Sequence, residues 1–146
     1  DAARGKGVRG GRWRPDLTVL GDGEPFVVWV DERDGGPDGT RLEHIYGARG
    51  SDRGRSFQGS VRIDSGVPVP LAASNDNRWS PSVRFGAGRI HVAWTDFRDY
   101  AWDIYATYST DGGRTFAVPV RVNDTSPDER LCDSPRFLSA TKNEAG

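Results

Sequence analysis

Apolar and polar positions alternate along this chain in short runs, and no apolar stripe holds a helical spacing for ten residues. That is the pattern of half-buried strands, with helix nearly absent. Eight runs carry it: DLTVL (16–20), PFVVWVD (25–31), EHIYGAR (43–49), SVRID (60–64), SPSVRF (80–85), RIHVAWTD (89–96), DIYATYS (103–109) and VPVRVN (118–123). Gly, Asp, Pro or Asn bounds each of them, as expected where strands give way to turns.

The eight runs are two sets of four, because the sequence repeats. FVVWVDERD (26–34) falls on HVAWTDFRD (91–99), HIYGARGSDRGRSF (44–57) on DIYATYSTDGGRTF (103–116), and VRID (61–64) on VRVN (120–123). Asp111 follows Asp52 by 59 positions and Trp94 follows Trp29 by 65, so the loop between the matched blocks is longer in the first unit. Self-similarity at such a period marks units that cannot bury their apolar faces alone and must stack on neighbours. Four antiparallel strands per unit, repeated, describe a β-propeller.

The fold class expected is therefore all-β: two four-stranded antiparallel blades plus the first strand of a third. DSPRFLSA (133–140) opens that third unit, since it matches WSPSVRFG (79–86) and WRPDLTVL (13–20). The boundaries read as an extension or the end of a preceding blade at 1–11, blade 1 at 12–64, a linker at 65–78, blade 2 at 79–124 and the start of blade 3 at 125–146. Propellers close with about four to eight blades, and open sheet edges template pairing with other chains. Partners are expected accordingly: the remaining blades of the same precursor, or other copies of this chain. The absence of Met favours a processed or excised segment.

Composition narrows the partners. A net charge of −1 gives no basic surface for nucleic acid, and no apolar run approaches the ~20 residues of a membrane span. Cys132 is the only cysteine, which excludes a disulfide framework. His44 and His91 lie in strands without a second ligand at metal spacing, so neither a metal nor a cofactor is expected.

The segment Ser109-Thr110-Asp111-Gly112-Gly113-Arg114-Thr115-Phe116 resembles the Asp box, or bacterial neuraminidase repeat, S-x-D-x-G-x-T-[W/F]. The earlier copy keeps Asp52, Gly54, Ser56 and Phe57, with Gly50 in the first serine position. With W-x-D-x-R and D-I-Y upstream, residues 12–140 are similar to part of a sialidase-like Asp-box propeller. The box reads as a structural staple joining the third strand to the fourth. Its Asp accepts backbone amides of its own turn, its Gly permits positive φ and its aromatic packs between sheets. On this reading Asp52, Gly54, Ser56, Phe57, Ser109, Asp111, Gly113, Thr115 and Phe116 are scaffold.

Ligand chemistry is expected at the opposite end of the strands, where loops two-to-three and four-to-one emerge. Arg12, Arg33, Asp34, Trp79, Arg98, Asp99, Tyr100 and Trp102 are the candidates there. Guanidinium grips a carboxylate bidentately and indoles stack on sugar faces. A second reading has Asp31 with Arg33, and Asp96 with Arg98, tying each loop together in both units. Trp29 and Trp94, mid-strand, are expected in the core.

The resemblance further implies three arginines around a sialic carboxylate, a Tyr nucleophile paired with Glu, and an Asp acid/base. Its first arginine opens an R-I-P triplet, and the comparable triplets here are Trp13-Arg14-Pro15, Trp79-Ser80-Pro81 and Asp133-Ser134-Pro135, none with arginine first. Two functions follow from the resemblance: a secreted, periplasmic or extracellular propeller that binds or processes a glycan in the manner of a glycoside hydrolase, or a non-catalytic propeller that is structural or binds protein.

Overall fold

The computed structural model describes residues 11–34, 42–66, 78–97 and 102–124. No helix occurs among them, so none is long and apolar enough to cross a membrane. The strands are β1 (Arg12–Val19), β2 (Pro25–Asp31), β3 (His44–Ser51), β4 (Ser56–Phe57), β5 (Val61–Arg62), β6 (Arg78–Gly86), β7 (Arg89–Asp96), β8 (Asp103–Ser109) and β9 (Val120–Arg121).

They form two antiparallel sheets. In the first the order is β1-β2-β3, with the short β4 and β5 both pairing β3, and in the second it is β6-β7-β8-β9. The registers repeat: Trp29 lies opposite Tyr46 and Trp94 opposite Tyr105, while the fourth strands pair through Tyr46 with Arg62 and Tyr105 with Arg121. Each indole stacks on its tyrosine across the strands, at centroid distances of 6.4 Å in both sheets. The predicted third-unit strand, 133–140, lies outside the described residues.

Both first strands begin earlier than their apolar runs, at Arg12 and Arg78. A bulge extends them: the register slips between Trp13 and Asp16 in β1 and between Trp79 and Ser82 in β6. Arg14 and Ser80, inside the two bulges, take left-handed φ values of 53° and 50°. An extra residue at this point breaks the alternation a strand normally shows, which is why the pattern of apolar positions starts only after it.

The core lies between the sheets. Phe26, Val28, Val30, Ile45 and Ile63 of the first meet Val83, Ile90, Val92, Trp94 and Tyr105 of the second. Polar ties run along the same seam, where Asp16 accepts the Val83 amide at 2.8 Å and the Arg84 guanidinium at 3.1 Å, and Thr18 Oγ1 accepts the Phe85 amide at 3.2 Å. Trp94 is fully buried here, but Trp29, placed in the core by its mid-strand position, is only half-buried. Among the described residues no second sheet packs on its side of the first sheet, so alternation alone did not decide its burial.

The turn at 109–116 is closed by its own side chains. Asp111 accepts the Arg114 amide at 2.9 Å, the Thr115 amide at 3.0 Å, the Thr115 hydroxyl at 2.6 Å and the Ser109 hydroxyl at 2.8 Å. The Thr115 hydroxyl and amide bonds hold the Asp111 carboxyl far below the usual carboxylate range. Gly113 has φ of 89°, and a Cβ there would come within 2.1 Å of the Phe26 ring. Phe116 completes the contact, 6.0 Å from Phe26.

The turn at 50–57 is built otherwise. Its Asp52 sits at φ 52°, with its carboxylate 3.7 Å from Arg55, and Glu24 accepts the Arg53 amide instead. Gly50 stands in the serine position because a Cβ there would meet Pro25 at 2.5 Å. Phe57 is half exposed.

Candidate functional site

The end of the sheets that carries the loops after β2 and β7 gathers two different groups of side chains. In the first, Asp31 at the end of β2 is fully buried and accepts Arg12 Nε at 3.1 Å, Arg33 Nη2 at 2.5 Å and the Trp29 indole at 2.8 Å. Burial pushes the Asp31 carboxyl up, but the Arg33 and Trp29 hydrogen bonds outweigh it and hold it at about 2. Arg33 also donates to Ser60 Oγ at 2.7 Å and lies 4.1 Å over the Tyr46 ring. That guanidinium is thus engaged within the sheet, though its side chain stays 32% exposed. Burial and the hydrogen bond to Asp34 raise the Tyr46 phenol to about 12, which keeps it protonated near neutral pH.

The corresponding pair in the second sheet is drawn into the seam. Arg78, the counterpart of Arg12, is fully buried with Nε 2.5 Å from Asp64 and 3.4 Å from Asp96, and Nη1 donates to the Glu43 carbonyl at 3.3 Å. His44 Nδ1 lies 2.9 Å from Asp64 and 3.2 Å from Arg78. Burial drives the Asp64 carboxyl up, and the His44 bond with the Arg78 and Arg62 charges brings it below its ordinary value. This buried charge cluster joins the sheets; it presents nothing to solvent.

The second group is open. Trp79, at the start of β6, and Trp102, just before β8, are 38% and 43% exposed, with ring centroids 5.6 Å apart and an angle of 55° between planes. Phe97 backs Trp102 at 4.8 Å. From the first sheet, Arg14 reaches across the seam to lie 5.0 Å over Trp79 and donates to Ser80 Oγ at 2.7 Å, while Glu43 accepts the Trp79 indole N–H. The bulge makes this possible, since it re-aims Arg14 out of the strand alternation. Two indoles, a guanidinium and a carboxylate thus converge at the mouth of the seam between sheets.

Of the residues singled out by sequence, Trp79 and Trp102 come together, Arg12 and Arg33 share Asp31, and Asp34 binds Tyr46. Arg98, Asp99 and Tyr100 lie outside the described residues. Arg14, Glu43 and Phe97 were missed, and nothing in the repeat marks them, because Ser80 replaces Arg14 in the second unit. Arg78 was open to prediction: Arg12-Trp13-x-Pro15 aligns with Arg78-Trp79-x-Pro81. Among the described residues no three His, Cys, Asp or Glu side chains group as metal ligands.

No family model matches the chain, and no curated protein matches it by sequence. Solved structures do. The Hadza microbial sialidase Hz136 superposes with a TM-score of 0.58 at 16% identity, over 75% of this chain and 25% of that one. The α-L-arabinanase of Penicillium chrysogenum, complexed with arabinobiose, gives 0.55 at 18% identity, over 77% and 31%. Zg3597, a family 117 glycoside hydrolase of the marine bacterium Zobellia galactanivorans, gives 0.52 at 12% identity, over 85% and 41%. The chain therefore spans 25% to 41% of the length of these neighbours. Identities this low speak for the backbone alone, and on that ground the two sheets have the fold of β-propeller blades.

Proposed function

We propose that this chain is part of a secreted Asp-box propeller that binds or processes carbohydrate, and that the sugar seats on Trp79 and Trp102. The observation that carries the reading is the pair of half-exposed indoles at the seam mouth, with Arg14 and Glu43 beside them. Indole faces pack on the C–H faces of a pyranose or furanose ring, and a guanidinium and a carboxylate supply hydrogen bonds to its hydroxyls or to an acidic substituent. Arg98, Asp99 and Tyr100, candidates by sequence, precede Trp102 in the chain and lie outside the described residues. Solved neighbours of this fold include a sialidase, an arabinanase with arabinobiose and a family 117 glycoside hydrolase, which supports a sugar as the ligand class.

Arg12 and Arg33 have a smaller part in this reading, because Asp31 holds both. Titration of acidic and neutral oligosaccharides, followed by tryptophan fluorescence, tests it. Trp79→Ala and Trp102→Ala should each weaken binding about tenfold or more, by analogy with the loss of a buried aromatic contact of ~1.5 kcal/mol. Arg55→Ala and Arg114→Ala, at the other end of the blades, should leave affinity unchanged. Binding of a protein partner with no response to any glycan would favour the non-catalytic, protein-binding reading instead.

A further inference from the structure

The seam between the blades is built by one side of blade 1 meeting the opposite side of blade 2. Each blade also has a second side, and the repeat states what belongs there. On blade 1 the counterparts of buried Val83 and of Phe85, which packs on the core, are Leu17 and Val19, and these are 52% and 56% exposed. On blade 2 the counterparts of fully buried Ile45 and Ile63 are Ile104 and Val122, both exposed. Among the described residues, the two free sides are thus the two halves of the seam, displayed separately.

The fit extends to shape and charge. Within the seam, Phe26 of blade 1 is a knob that sits against Gly113 and Phe116 of blade 2. The corresponding hole on blade 1 is an open cleft of about 370 Å³ lined by Val27, Trp29, Ala48 and Phe57 among others. The corresponding knob on blade 2 is His91, exposed and 6.5 Å from the Tyr108 ring. Arg78 crosses the seam to His44 and Asp64. The counterparts of those two residues in blade 2 are Asp103 and Asn123, bonded to one another at 3.0 Å, so the carboxylate has changed strands but is retained. Arg12, the counterpart of Arg78, is exposed. The chain's own next unit has Cys132 in the arginine place, when Pro135 is aligned with Pro81.

We propose that copies of this chain associate head to tail, the free side of blade 1 in one copy seated on the free side of blade 2 in the next. In that arrangement Arg12 meets Asp103, and His91 enters the cleft beside Trp29. Such an interface is heterologous, so it extends until the rotation closes a ring.

Sedimentation velocity of the 146-residue chain over a concentration series tests it. The wild-type protein should show association that grows with concentration. Leu17→Arg and Val122→Arg, each on one free side, should each remain monomeric, with circular dichroism spectra like the wild type. Mixing the two variants should restore association and stop it at a dimer, because each supplies the side the other lacks. Val19→Arg and Ile104→Arg form a second such pair should either variant of the first fail to fold. A wild-type monomer at every concentration would overturn the proposal, as would variants that still associate alone or mixtures that stay monomeric.

Discussion

Blade 1 and blade 2 share several side chains at equivalent places in the same register, yet they treat them differently. Trp94 is buried and Trp29 half-buried; Arg78 has no exposed surface and Arg12 more than half; Phe116 packs on Phe26 while Phe57 is half exposed. In each pair the strand, the neighbours along it and the cross-strand partner are equivalent. The difference is that blade 2 has another blade against this side. Burial in a stacked repeat is a property of the interface, so the energetic weight of a residue follows its neighbour blade more than its place in the motif.

The comparison breaks first at the tryptophans. Trp94→Ala should cost about 3–5 kcal/mol, the range for a large buried aromatic, whereas Trp29→Ala should cost less than half as much in the same urea titration, run at a concentration where the chain is monomeric. Equal losses would mean that the outer side of blade 1 is covered within a single copy.

The arginines come next. Arg78→Met leaves Asp64 and Asp96 without the cation between them, a loss of about 3–5 kcal/mol for a broken buried ion pair. Arg12→Met should change stability by about 1 kcal/mol or less, as for an exposed pair. Comparable values for the two would remove the claim that the buried cluster joins the blades.

Acid sharpens the contrast from another direction. The Asp31 carboxyl is held at about 2 against an ordinary 3.8, so the stability it contributes is complete above its unfolded value and is lost as pH falls from about 4 through about 2. That loss should be about 2 kcal/mol, from 1.36 kcal/mol per unit. Urea midpoints measured across this window should fall, and Asp31→Asn should flatten that part of the curve.

The smallest difference lies in the two turns. Asp111→Ala removes the acceptor of two amides and two hydroxyls and should cost about 1–2 kcal/mol. Asp52→Ala, facing only a loose contact with Arg55, should cost about 0.5 kcal/mol or less. Differential scanning calorimetry of the two variants decides it, and equal shifts would show that the turns are energetically alike despite their different hydrogen bonds.

Strand order, the repeat and the blade class were legible in the sequence, because a period of two within runs and a period near sixty between them are local and additive signals. The contacts of the 109–116 turn were legible for the same reason: an Asp placed two to four residues from its donors finds them without help from the rest of the chain. The tertiary structure alone decided the rest. The bulges at Arg14 and Ser80 shift the first strands out of alternation, and no apolar pattern encodes that shift. Arg14 reaches Trp79, and Glu43 its indole, only because two blades meet there across 36 or more positions of chain. Likewise Trp29 and Trp94 are the same residue in the same motif, and which of them is core depends on whether another sheet lies against it.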